Sequence, residues 1–260
     1  LTSGLIDPTG GFLYVAAGVS PSVIIKVRLS DFTRVASLTL NPGENAVYTG
    51  VIDLVNGYAY YGTAEGASTG KIIKVRLSDL TRTGVVYTNA GENAMLSSAI
   101  DTVHGFAYFG LDGSPARVIK VDLSTFTRQG VLSLNYQTYR ARSAVVDSQG
   151  TYAYFGMEAK VGTQGAPVVK VDLATFTEVS PALILNSGEL GLFDARIDPT
   201  GAALYLAADT KPGKIIKVDL ATFTRASALT FNSGEENMRS LVLDPAAGFG
   251  YTGGASDPGG

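Results

Sequence analysis

The stretch IDTVHGFAYFG, from Ile100 to Gly110, decides how this chain is read, because five more copies of it follow the same grammar. They are IDPTGGFLYVA from Ile6, IDLVNGYAYYG from Ile52, VDSQGTYAYFG from Val146, IDPTGAALYLA from Ile197 and LDPAAGFGYTG from Leu243. Each places an Asp before a turn and a Tyr seven residues after that Asp: Asp7/Tyr14, Asp53/Tyr60, Asp101/Tyr108, Asp147/Tyr154, Asp198/Tyr205 and Asp244/Tyr251. An Asp side chain bonds the backbone two residues on, and a Gly supplies a positive φ, so Thr102–Gly105 is a turn. After it, Phe106, Tyr108 and Gly110 alternate with Ala107 and Phe109. Such a segment is apolar on both faces and belongs to a strand buried on both.

A second phrase alternates with the first: KVRLSDFTR from Lys26, KVRLSDLTR from Lys74, KVDLSTFTR from Lys120, KVDLATFTE from Lys170 and KVDLATFTR from Lys217. In RVIKVDLSTF, Ile119, Val121 and Leu123 fall on one face of a strand, and Val118, Lys120 and Asp122 on the other. The repeated Asp residues are spaced 46, 48, 46, 51 and 46 apart. A period of that size marks a repeat architecture whose units share one continuous core. No segment has the sustained i, i+3, i+4 pattern of a long helix. One period therefore reads as four short antiparallel strands, the first ending at the Asp, the second carrying the Tyr, the third carrying the KV phrase and the fourth following the TR.

A four-stranded unit of about 47 residues is the size of a propeller blade. The VIDP-type end of the first strand, the AYFG-type second strand and the IKVDL-type third strand resemble the YVTN and NHL-like β-propeller repeats of bacterial and archaeal surface and secreted proteins. The resemblance covers essentially the whole chain. It implies an all-β propeller with blades at 1–45, 46–94, 95–140, 141–190 and 191–237, and a half blade at 238–260. Closed propellers have 4–8 blades, so six or seven would complete the ring. The chain starts at Leu1 rather than Met and stops partway through a repeat, at GGASDPGG. It is expected to be a piece of a longer or processed polypeptide. An open ring leaves strand edges unpaired, which favours association with a partner or with itself.

Composition narrows the function classes. The net charge of −3 argues against nucleic acid, which needs a concentrated basic face. With no Cys, there are no disulfides, thiol chemistry or zinc–thiolate sites. No apolar run approaches the roughly 20 residues that span a bilayer. No nucleophile elbow, P-loop, H-E-x-x-H or dinucleotide fingerprint is present.

Three features are candidates for chemistry. The loops from the fourth strand to the next first strand read NPGENA, NAGENA, NSGELG and NSGEEN, with Glu44, Glu92, Glu189 and Glu235 in matching places. Carboxylates and amide oxygens so arranged suit either turn chemistry or a hard cation such as calcium. One loop departs from this series: NYQTYRARS from Asn135 puts Tyr136, Gln137, Tyr139, Arg140 and Arg142 where the others carry Gly-Glu. Aromatic and Arg residues on a loop suit recognition of a protein or glycan. The longest second-to-third-strand loop, MEAKVGTQGAP from Met157, lies in the next repeat unit. Drift of an unconstrained loop accounts for the same facts. His104 is the lone histidine, and the sequence shows no second group to orient it.

The expectation is a non-enzymatic binding or scaffold propeller, extracellular or on a cell or particle surface as the resemblance implies, engaging a protein or glycan through one face. The alternatives are a structural building block of a surface layer, filament or particle, and a metal-dependent lyase or lactonase that uses calcium. No cofactor beyond that possible calcium, no nucleic acid and no direct membrane insertion are expected.

Overall fold

In the structure, a computed structural model describing residues 1–64, 69–135, 140–159 and 164–255, every regular element is a β-strand. The chain forms two compact units, one of residues 1–112 and 119–131, the other of residues 113–118 and 132–260.

The first unit is built on two antiparallel four-stranded sheets and most of a third, each in chain order. The first holds β1 (Ser3–Asp7), β2 (Phe12–Ala17), β3 (Val23–Arg28) and β4 (Thr33–Thr39). The second holds β5 (Val47–Asp53), β6 (Tyr58–Thr63), β7 (Lys71–Arg76) and β8 (Thr81–Tyr87). The third holds β9 (Met95–Asp101), β10 (Phe106–Leu111), β11 (Arg117–Asp122) and β12 (Thr127–Ser133). First strands of successive sheets lie together, β1 against β5 and β5 against β9.

The second unit continues the pattern with one difference. Strands β13 (Arg140–Val146), β14 (Tyr152–Glu158), β15 (Pro167–Asp172) and β16 (Thr177–Ile184) share one sheet with β17 (Gly191–Ile197), β18 (Ala203–Asp209), β19 (Lys214–Asp219) and β20 (Thr224–Thr230). The junction is the single pair Glu158↔Gly191. Strand β14 runs one residue longer than β6 or β10, and Gly191 brings no side chain to the meeting point. A Cβ there would lie 3.1 Å from Asp209 Cβ. The last two strands, β21 (Met238–Asp244) and β22 (Phe249–Gly254), pair with each other. Here β13 packs against β17, and β17 against β21.

The second strands are the most buried, as their two apolar faces require. Tyr61 and Phe109 in the first unit, and Phe155 in the second, have no solvent exposure. Burying such a ring contributes about 2–3 kcal/mol. The fourth strands β4 and β12 alternate between exposed and half-buried residues.

The turn between third and fourth strands has an unusual backbone. Phe32, Leu80, Phe126, Phe176 and Phe223 all sit in the left-handed region, with φ between 50° and 53°. That conformation is costly for a bulky residue and persists only where surrounding contacts compensate. For two of them the compensating contact is an aromatic ring of the preceding repeat: Phe126 lies 5.7 Å from Tyr60, and Phe223 lies 6.0 Å from Tyr154, whereas Phe32 is 78% exposed. Two hydrogen-bonding schemes start the same turn. Asp122, Asp172 and Asp219 accept from the amides of Thr125, Thr175 and Thr222 at 2.8–2.9 Å. Where Arg replaces that Asp, the turn carries the acid instead, as Arg28–Asp31 at 2.9 Å and Arg76–Asp79 at 2.6 Å.

Candidate functional site

The Asn-x-Gly-Glu loops form the same knot each time. The Gly takes a φ of 79° at Gly43 and Gly91, 85° at Gly188 and 91° at Gly234, where a Cβ is disfavoured. The Glu amide then donates to the Asn carbonyl oxygen, at 2.9 Å for Glu44 and 3.0 Å for Glu92, Glu189 and Glu235. In return the Asn amide donates to the Glu carboxylate, at 3.0 Å in Asn41–Glu44 and Asn89–Glu92 and 3.1 Å in Asn186–Glu189.

The free side of the Glu44, Glu92 and Glu189 carboxylates meets an Arg from the fourth strand of the next repeat. Arg82 Nε donates to both oxygens of Glu44 at 2.9 Å. Arg128 forks onto Glu92 at 2.9 and 2.5 Å, and Arg225 onto Glu189 at 3.0 and 2.7 Å. Glu44, Glu92 and Glu189 are 1–2% exposed. Such forked, charge-assisted pairs combine strength with directional specificity. Glu235 repeats the loop, with Asn232 donating at 2.8 Å, but it is exposed and meets no Arg among the described residues. Among these residues no group of three or more acidic or His side chains could hold a metal ion.

The exceptional copy is rewired rather than simply broken. The loop from Asn135 lacks the Glu, and the matching strand position is Glu178 instead of Arg. Glu178 Oε2 accepts from the Asn135 amide at 2.9 Å. The acid has moved from loop to strand and holds the same Asn amide. This signal was present in the sequence, since KVDLATFTE is the one copy of its phrase that ends in Glu.

Tyr136, Gln137 and Tyr139 of that loop lie outside the described residues, as do 160–163 of the long loop that begins at Met157. Arg140 and Arg142 are described and both reach Glu158, at 3.3 and 2.5 Å. Arg142 occupies a β-bulge, the register slipping between Ala141 and Ser143. The same slip recurs around Phe193 and Arg239. A bulge re-aims the side chain of its extra residue. Here it gathers three: the guanidinium carbons of Arg142 and Arg239 stand 4.7 and 5.0 Å from the Phe193 ring centroid. Arg239 also reaches Asp209 at 3.1 Å and remains half exposed. Sequence reading identified Arg142 and missed Phe193 and Arg239, because a bulge belongs to the pairing of two strands.

Beside this cluster Asp194 stands where other copies have Ser or Thr. Burial pushes its carboxyl above the ordinary range, opposed by Arg196 and by the amides of Leu241 and Ala195.

The repeated Asp residues perform turn chemistry. Asp7 accepts from the Gly10 amide at 2.7 Å, Asp53 from Asn56 at 3.0 Å and Asp244 from Ala247 at 3.0 Å. Asp147 accepts from Thr151 and Tyr152, so β13 ends one residue before it. Asp101 corrects the expectation for His104: its Oδ2 lies 2.8 Å from His104 Nδ1, so the ring does have an orienting carboxylate three residues back.

The Tyr and the Lys of the two phrases work together. Tyr14 and Lys26 both donate to the carbonyl oxygen of Leu77, at 3.3 and 2.8 Å. Lys26, Lys74, Lys120 and Lys170 also lie 3.8–4.1 Å over an aromatic ring at the start of their own second strand. Burial pushes the Tyr14 and Tyr154 phenols up to about 12, with Asp7 and Asp147 adding to it. It pushes Tyr60, Tyr61 and Tyr108 higher still, and lowers Lys26, Lys74 and Lys120.

The two sets have opposite signs in alkali. Below the ordinary Lys value of about 10.4, the unfolded chain holds more Lys protons, so stability rises slightly with pH. Above about 10, the unfolded chain has lost phenolic protons that the folded chain keeps, so stability falls as pH approaches 12. Melting followed by circular dichroism should therefore drop steeply from about pH 10 upward, with the phenolate absorbance of the buried Tyr14, Tyr60, Tyr61, Tyr108 and Tyr154 appearing together with unfolding. Full phenolate absorbance from all 13 tyrosines in a still-folded chain at about pH 10 would contradict this.

Searches against protein-family models and against curated proteins find no match to this chain.

Proposed function

We propose that this chain is a β-propeller of the YVTN/NHL-like kind, five four-stranded blades and a half, serving as a binding module without catalysis at a cell or particle surface. Support for the propeller comes from the regular four-stranded sheets and from first strands packing on first strands within each unit. The observation that carries the binding reading is the Arg142–Phe193–Arg239 stack. Three repeats place their bulged residue into one cluster, beside the partly exposed Arg140. Arg and aromatic side chains are enriched at recognition hot spots. The ligand chemistry that fits is a carboxylate-bearing chain, either an acidic protein segment or an acidic glycan.

Surface plasmon resonance on immobilised polyglutamate and polygalacturonate separates the two sources. Binding to one of them, weakened about tenfold by R142A/R239A and by raised salt, is the expected result. Absence of binding to both polymers, or equal binding by the double variant, would end this reading.

A further inference from the structure

One acid beside the Arg142–Phe193–Arg239 stack breaks the repeat. Asp194 stands four residues before the repeated Asp, a place filled by Ser3, Thr49, Ser97, Ser143 and Ser240 in the other copies. A hydroxyl fits there five times and a carboxylate once. Burial holds the Asp194 carboxyl above the ordinary range, so its charge is kept against a desolvation penalty. A charge retained on those terms next to a recognition cluster points to a task beyond packing.

Its bonds show which task. Asp194 Oδ1 accepts from the Ala195 amide at 2.8 Å and pairs with Arg196 at 2.9 Å. Oδ2 crosses to β21 and accepts from the Leu241 amide at 2.8 Å. Leu241 lies two residues beyond Arg239, the extra residue of the β21 bulge, where the register slips between Met238 and Ser240. Strand β22 holds the same bulge from its other side. Thr252 Oγ1 donates to the Ser240 carbonyl oxygen at 2.7 Å, and the Gly253 amide donates to Ser240 Oγ at 3.1 Å. The backbone that carries Arg239 is thus gripped from two strands. Adjacent residues of β17 supply both the ring under Arg239, from Phe193, and the acid that grips its strand.

Other copies place different contacts here. Between β5 and β9 the equivalent positions meet as hydroxyls, Thr49 Oγ1 and Ser98 Oγ at 2.6 Å, with no backbone group in the bond. On β13, Ser143 is buried and its Oγ has no hydrogen-bond partner among the described residues. A Ser oxygen reaches one bond less far than an Asp oxygen. Arg142, on the bulge beside Ser143, is held through its side chain instead, by Glu158 Oε2 at 2.5 Å, and that side chain is 13% exposed. The Arg239 side chain is 51% exposed, and fixing a long exposed side chain loses rotamer entropy. Fixing its backbone restricts where it can go, because a bulge aims the side chain of its extra residue.

We propose that Asp194 is the positioning residue of this cluster: through the Leu241 amide it fixes the β21 bulge, and the bulge sets Arg239 over Phe193. A charge-assisted bond to an amide is strong enough to do this. The consequence for a ligand rests on the carboxylate-binding reading above, whereas the clasp on β21 does not.

Two variants test it. Asp194→Ser installs the residue type of the other copies, which the repeat accommodates, and withdraws the acceptor from Leu241. Asp194→Asn removes the charge and keeps an oxygen within reach of that amide. Proton–nitrogen NMR of the Arg Nε–H groups reads the stack in the free chain, since a group over an aromatic face is shifted upfield. Asp194→Ser is expected to move the Arg239 signal downfield, to leave that of Arg142 in place, and to speed Leu241 amide exchange about tenfold. Asp194→Asn is expected to keep all three as in the parent. An Arg239 signal unchanged by Asp194→Ser, or moved as far by Asp194→Asn, overturns the proposal. On whichever of polyglutamate and polygalacturonate the parent binds, Asp194→Ser should weaken affinity about fivefold, and Asp194→Asn by less than about twofold. Failure of the parent to bind either polymer ends the carboxylate reading alone, because the NMR signals decide the clasp without a ligand.

Discussion

Arg82→Ala is expected to destabilise the first unit by about 3–4 kcal/mol, whereas Arg34→Ala, the same repeat position, should change stability by less than about 0.5 kcal/mol. The difference lies in the partner. Arg82 holds Glu44, which is 2% exposed, while Arg34 is exposed and has no ion pair among the described residues. Removing Arg82 leaves a buried carboxylate whose remaining hydrogen bond, among the described residues, comes from the Asn41 amide. Losing one partner of a buried pair is far more costly than never having had the pair. Replacing both groups by apolar residues should accordingly recover part of the loss. Urea unfolding read at the earliest transition measures this, since repeat arrays need not unfold in one step. Equal midpoints for the Arg82 and Arg34 variants would refute the argument.

Gly62→Val should cost about 3 kcal/mol, at the upper end of the range for overpacking. A Cβ on Gly62 would lie 2.9 Å from Met95 Cβ and 3.1 Å from Phe109. Gly62 is where the second sheet touches the third, and Gly156 makes a comparable approach to Leu192. The position is not closed to side chains everywhere: Ala16 and Ala207 occupy it in other copies, fully buried. Spacing between neighbouring sheets therefore varies, and Gly marks the tight joints. A midpoint lowered by about 6–12 °C in thermal melts is expected for a domain of this size, with partial recovery on adding Met95→Ala. A midpoint within about 1 °C of the parent would show that the sheets can part at little cost.

Reading the residues recovered the strands because alternation and turn chemistry are local. The Asp before each turn, the Gly after it and the doubly apolar second strand all act within about ten residues, and each took the conformation its composition demands. The Glu of the Asn-x-Gly-Glu loops was half legible. Its bond to the Asn amide is a three-residue matter, but its Arg stands 38 residues away in Glu44–Arg82. The odd loop was noticed for what it gained, Arg140 and Arg142, and not for the compensation it received from Glu178.

What this sequence determines by itself is the inventory: antiparallel strands in repeated sets of four, their turns and the face each side chain prefers, all dictated by steric and hydrogen-bonding rules between near neighbours. What only the tertiary structure decided is which repeats meet. The Glu–Arg forks and the Arg142–Phe193–Arg239 stack depend on register between strands and on contact between repeats. Those are properties of surfaces brought together by burial, and a one-dimensional pattern carries no record of which surface arrives opposite which.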